Sequence, residues 1–213
     1  MITINYEGRF GNSLFKFFMA RFFSEKFNLC ISNPLDTKIS QDFKNGTIID
    51  EKNPIKIDGF YQNRLTIELF KKNRHMFLPI EEKRGGVFCH VRLGDLFMPH
   101  SKEGNRFLPI EYYRKALEGS NGGYISSDSP DDAGVKALAE EFNLEIFNDT
   151  PENTIIFAAS FDKKVLSLGT FSWWIGFLGN QSNVICANPN DYPIWHGDIF
   201  PVKGWNTLQK DAY

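Results

Sequence analysis

No apolar run in this sequence approaches the ~20 residues that cross a bilayer. The N-terminus lacks a charged region followed by a long apolar stretch and a small-residue cleavage site. The expectation is therefore a soluble, cytoplasmic protein with no membrane span. Charge of one sign is missing too: the net charge is -2, which argues against a basic nucleic-acid surface or a polyanion-binding face, so nucleic acid is not an expected partner. Cysteine is scarce. Cys30, Cys89 and Cys186 are scattered and odd in number, with no metal-ligand spacing and no disulfide frame, and they read as buried thiols of a reducing interior. No metal motif is present, and no internal repeat or low-complexity tract.

What is there suffices for a folded core. Apolar residues make up 42% of a 213-residue chain, a length that fits one or two domains. Ile2 to Tyr6 reads as a short strand and Gly8-Arg9-Phe10-Gly11-Asn12 as a glycine-bearing turn. Leu14 to Phe27 then reads as an amphipathic helix, because Leu14, Phe17, Phe18, Arg21 and Phe22 recur at three- and four-residue steps. Residues 28 to 84 are polar, with short apolar pieces at Thr47-Ile48-Ile49 and Ile55-Lys56-Ile57 and a helix near Leu65 to Lys72.

The character changes at Lys83-Arg84-Gly85-Gly86. From there strands are expected at Val87 to Val91, Gly123 to Ser126, Leu144 to Phe147, Lys164 to Leu168 and Val184 to Ala187. Between them fall helices at Ile110 to Glu118, Asp131 to Phe142, Thr154 to Ser160 and from Trp173 to Leu178. That alternation predicts a parallel sheet with helices on both faces. Ligands of such sheets bind at the carboxyl ends of the strands, and three segments occupy that position.

The first segment is Cys89-His90-Val91-Arg92-Leu93-Gly94-Asp95. An arginine suits a diphosphate, since its planar fork makes two charge-assisted hydrogen bonds and never loses its proton. Gly94 permits a sharp turn, and Asp95 is of a type that fixes a loop by accepting backbone N–H bonds. The plainer reading is a satisfied strand-end histidine and a surface arginine. The second segment is Tyr124-Ile125-Ser126-Ser127-Asp128, whose hydroxyls and carboxylate suit a ribose or base edge but equally an ordinary turn. The acidic pair Asp131 and Asp132 is expected in the first turn of the next helix, where the helix dipole favours it. The third is Gly169-Thr170-Phe171-Ser172-Trp173-Trp174. A strand, Gly-Thr-x-Ser and a helix make an anion site, or else a simple N-cap by Thr170 or Ser172 with the tryptophans in the core.

Together and in this order, the motifs resemble the bacterial α-1,2-fucosyltransferases. The likeness rests on Gly8-Arg9-Phe10-Gly11-Asn12, His90-Val91-Arg92-Leu93-Gly94-Asp95, Ser127-Asp128 and Thr170-Phe171-Ser172-Trp173-Trp174, with Gly59-Phe60-Tyr61-Gln62 and Tyr112-Tyr113 between. The first segment is also similar to the protein O-fucosyltransferases. The resemblance implies a GT-B-like α/β fold: a reduced N-terminal acceptor-side domain over residues 1–84 and a Rossmann-like, nucleotide-sugar-binding domain over residues 85–213. It implies that Arg92 holds the diphosphate, that His90 sits beside the nucleotide, and that Ser172 and Thr170 bind phosphate at the helix start. Asn12 would reach the reacting region from the N-terminal domain. Gly11, Ser127, Asp128 and Phe171 complete the expected donor-binding set, and Arg92, Asn12 and Asp95 the catalytic one.

Three departures stand out. Leu93 occupies a place where many relatives carry a second arginine. Thr154 aligns with an acidic residue thought to contact the base. The N-terminal half is shorter than usual. The implied reaction is metal-independent, inverting transfer of fucose from GDP-fucose to a hydroxyl of an acceptor glycan, with no cofactor beyond the donor. A cytoplasmic setting agrees, since nucleotide sugars are made there. Glu7, Asp95 and Asp128 are candidates by type for a general base. The alternatives are a transferase of another nucleotide sugar and a non-catalytic nucleotide-binding module.

Overall fold

The computed structural model of the chain describes residues 1–48, 50–94, 107–192 and 198–213. They form two compact units. One comprises Met1–Pro79 with Asp198 and Ile199; the other continues from Ile80 and includes Phe200–Tyr213.

In the first unit, strand β1 (Ile2–Ile4) pairs in parallel with β2 (Ile55–Ile57), and single parallel bridges join Ile2 to Ile31 and Leu29 to Thr47. The expected piece at Thr47 to Ile49 is thus one bridge, with Ile49 outside the described residues. Helix α1 (Phe10–Phe27) begins four residues before Leu14, so Gly11 and Asn12 belong to its first turn rather than to a preceding loop. It is not amphipathic in the expected sense: every residue from Leu14 to Arg21 is buried. Phe15 meets Phe70 of helix α2 (Arg64–Lys72), Phe17 meets Phe43, and Phe18 lies 4.4 Å from Phe77 between ring centroids. Enclosed all round, α1 must satisfy its own charges. Lys16 donates to the Asn5 carbonyl at 2.7 Å beside the Glu7 carboxylate, and Arg21 donates to Glu25, Ser40 and the Met76 carbonyl.

The second unit is an all-parallel six-stranded sheet. In chain order its elements are β3 (Arg84–Val91), α3 (Ile110–Leu117), β4 (Gly123–Ser127), α4 (Ala133–Glu141), β5 (Leu144–Ile146), α5 (Pro151–Ala159), β6 (Phe161–Val165), α6 (Thr170–Leu178), β7 (Val184–Ala187) and β8 (Asn206–Leu208). The spatial order is β5-β4-β3-β6-β7-β8. The chain therefore starts at the centre, moves outward through β4 and β5, returns to the other side of β3, and moves outward again. This α/β sheet, flanked by helices, is consistent with a Rossmann-like fold.

Residue alternation along β3 assigns the faces. Val87, Cys89 and Val91 join the core with Tyr112 and Tyr113 of α3 and Val135 and Leu138 of α4. Phe88 points the other way, onto Phe157 of α5 and Phe161. Strand β6 and helix α6 each begin three residues earlier than the sequence suggests. Strand β8 was not expected at all, because Asn206 and Thr207 carry no apolar signal. Among the described residues no helix is long and apolar enough to cross a membrane.

Candidate functional site

A doubly wound sheet opens a crevice outside the carboxyl ends of the two strands whose connections leave in opposite directions. Here those strands are β3 and β6. The residues leaving them are Arg92 to Gly94 and Leu166 to Thr170, and β4 adds Ser127 and Asp128 beside them. All three chemistry-bearing segments of the second unit thus meet at one edge.

His90 lies one residue before the end of β3, on the face shared with Phe88, and is only 5% exposed. Its Nδ1 is 2.6 Å from the Ser172 hydroxyl, and its ring lies 4.9 Å from that of Phe171. Burial lowers the imidazole pKa to about 4; the nearby Asp128 carboxylate opposes this and the Arg92 guanidinium adds to it. His90 is therefore a neutral ring at pH 7.

Arg92 is anchored through its backbone. Its N–H donates to the Ser167 hydroxyl at 3.2 Å, and the same oxygen accepts from Tyr113 at 2.9 Å. Its guanidinium rests against Gly169, where an added Cβ would collide with Nη1. Gly169 is the N-cap of α6 and has φ +106°, a conformation that L side chains rarely adopt. Neither Thr170 nor Ser172 caps the helix: no side-chain cap bond forms, and both residues lie inside the first turn. The start of a helix leaves backbone N–H groups without intrahelical partners, which favours an anion. Glycine at the cap thus lets a guanidinium and a helix start share one small space.

The loop after β3 is held by Asp128. Its Oδ1 accepts from Leu93 N at 2.9 Å and Gly94 N at 3.2 Å. This is the loop-fixing role for which Asp95 is the candidate by type; Asp95 itself lies outside the described residues. Ser127 accepts from the Ser129 backbone at 3.0 Å in a local turn. Asp132 proves to be the N-cap of α4, accepting from Gly134 and Val135, while Asp131 pairs with Lys136.

Thr170 and Ser172 are both buried, Phe171 half-buried, and Trp173 and Trp174 fully enclosed, with Trp173 stacked on Phe177 at 4.5 Å. Thr154 is buried in α5 and donates to the Asp149 carbonyl. Gly11 and Asn12 belong to the first unit. There Asn12 Oδ1 accepts from Gln62 at 3.0 Å, joining two sequence motifs. The N-cap of α1 is Arg9, so Asn12 is not its cap.

Sequence reasoning missed Ser167, which ties β6 to both Arg92 and α3; its only local signal is a place just past a strand. Among the described residues no group of three or more His, Cys, Asp or Glu is placed to hold a metal ion. Compared with known proteins, the chain matches no family model, no curated protein and no solved structure.

Proposed function

We propose that this chain is a glycosyltransferase that binds GDP-fucose and moves fucose to a hydroxyl of an acceptor glycan. The supporting observation is the meeting, at the β3–β6 switch point, of Arg92, Gly169 and the start of α6. A nucleoside diphosphate needs a place for two phosphates, and a fixed guanidinium beside the positive end of a helix dipole supplies one. The ordered motifs that resemble α-1,2-fucosyltransferases narrow the donor to GDP-fucose. In this reading the unit from Ile80 onward holds the donor, and the unit of Met1–Pro79 serves the acceptor in a GT-B-like arrangement.

The chemistry follows from charge. Breaking the bond between the anomeric carbon and the diphosphate leaves an oxocarbenium-like sugar and a growing negative charge on the leaving oxygen. Arg92 and the first-turn N–H groups of α6 stabilise that charge and need no reorganisation to do so. Attack by the acceptor hydroxyl on the opposite face forms the new glycosidic bond and inverts the anomeric configuration; GDP departs, and the hydroxyl proton passes to water or to a carboxylate such as Glu7, Asp95 or Asp128. Asp128 spends one carboxylate oxygen on Leu93 and Gly94, which suits it to shaping the loop.

Calorimetry with GDP, GDP-fucose and UDP in the presence of a chelator tests this. GDP and GDP-fucose should bind, and UDP should bind more weakly. Tighter binding of UDP, or loss of GDP binding in chelator, would sink the assignment. Binding of GDP-fucose without transfer to any hydroxyl acceptor would leave a nucleotide-binding module.

A further inference from the structure

We infer that Ser172 sets the tautomer of His90, so that a neutral imidazole presents Nε2–H as a hydrogen-bond donor to an acceptor oxygen of the bound donor nucleotide. The inference rests on the nucleotide-sugar reading for the identity of that oxygen. The tautomer rests on the geometry around Ser172, for a ring that burial keeps neutral.

The Ser172 hydroxyl is 0% exposed and has one described partner, His90 Nδ1 at 2.6 Å. Two proton arrangements fit that distance. If Nδ1–H donated to Ser172, the hydroxyl proton would need a second acceptor, and none lies within reach among the described residues. A buried hydroxyl without an acceptor is strongly disfavoured. If the hydroxyl donates to Nδ1, both atoms are satisfied and the ring proton moves to Nε2. Ser172 also lacks the exposure that a nucleophile requires.

The surroundings fit a donor ring. Nε2 has no partner among the described residues. The ring lies 4.9 Å from that of Phe171 in α6, and the charges of Asp128 after β4 and Arg92 after β3 act on it in opposite senses. Burial keeps it neutral, so it donates one hydrogen bond to an anion already met by Arg92 and adds no charge. Which nitrogen carries the proton is set by the bond the other makes, and here that bond comes from 82 residues further along the chain.

The direct test is long-range proton–nitrogen correlation on histidine-labelled full-length chain at pH 7, with His90→Asn identifying the His90 signal among the four histidines. The expected spectrum shows His90 with an unprotonated Nδ1 and a protonated Nε2. Adding GDP-fucose should shift the Nε2 proton, and Ser172→Ala should convert the signal to a mixture of tautomers. In Ser172→Ala, GDP-fucose should bind severalfold more weakly, with Ser172→Thr recovering part of the loss. A protonated Nδ1 in the wild-type chain overturns the inference without any appeal to variants. A signal with protonated Nε2 that saturating GDP-fucose leaves unmoved overturns the ligand role. Absence of GDP-fucose binding by calorimetry overturns the nucleotide-sugar reading itself, while the wild-type tautomer remains separately measurable.

Discussion

Arg92, Gly169 and His90 carry the sharpest expectations at the residue scale. Arg92→Ala should weaken GDP binding by about 1.5–3 kcal/mol, the range for hydrogen bonds to charged groups, and Arg92→Lys should recover only part, because one ammonium cannot copy the planar fork. Calorimetry decides this, and unchanged affinity in Arg92→Ala would remove it from the site. Gly169→Ala tests the same contact from the other side. Its backbone angles belong to a region essentially reserved for glycine, so the substitution should cost ~1–3 kcal/mol in urea unfolding. Its Cβ should also displace the guanidinium, so GDP affinity should fall along with stability. A destabilised variant that binds GDP normally would show that the guanidinium does not act from that position.

His90 gives a pH dependence with a definite sign. Its pKa is about 4 in the folded chain, against an ordinary value of 6.5. The unfolded chain therefore binds the proton more readily between those values, and stability falls as pH falls through that window. The contribution is fully present above about pH 6.5, and about 3 kcal/mol of it is lost by pH 4. Denaturant unfolding of the wild-type chain and of His90→Asn at several pH values should show this acid-side loss only in the former. Equal slopes in both would mean that the ring is not held neutral by burial.

At the element scale, the hydrogen bond between Asn12 and Gln62 ties the first turn of α1 to the segment that leads into α2. A bond of this kind contributes about 1 kcal/mol, and the two residues are partners of each other. Asn12→Ala and Gln62→Ala should each lower unfolding stability, and the double variant should cost clearly less than the sum. Additive losses would show that the two side chains stabilise the unit independently. An asparagine near a helix start is also of a type that suits an N-cap. The cap reading fails because α1 starts at Phe10, and it starts there because Gly8, at φ +82°, turns the chain before Arg9.

For the whole molecule, a ligand that binds only the folded state stabilises it by mass action. GDP at a hundredfold excess over its dissociation constant should add ~2.7 kcal/mol to the unfolding free energy of the unit that carries Arg92. A thermal-unfolding series in GDP should show a concentration-dependent rise, and Arg92→Ala should need correspondingly more ligand for the same rise. A flat series in GDP, with a rise in UDP, would redirect the donor assignment.

Local pattern determined much of this protein. The apolar run of Val87 to Val91, the strand at Val184 to Ala187 and the alternation between them were legible because a buried parallel strand must be apolar along its length. The segments after β3, β4 and β6 were legible as candidate-site segments because polar and glycine residues stand where such strands end. Other features depended on residues far apart in the chain. The burial of α1 on all sides was hidden, because its polar members find partners only after folding: Lys16 in Asn5 and Arg21 in Met76. The start of α6 was misread, since Thr170 and Ser172 look like caps and only the backbone angle of Gly169 shows that they are not. The place of β3 at the switch point followed from strand order, which pairs Val87 of β3 with Lys163 of β6, 76 residues later. Tertiary structure alone chose Ser172 as the partner of His90 and Asp128 as the clamp on Leu93 and Gly94, because a hydrogen bond selects by position in space and sequence records only position along the chain.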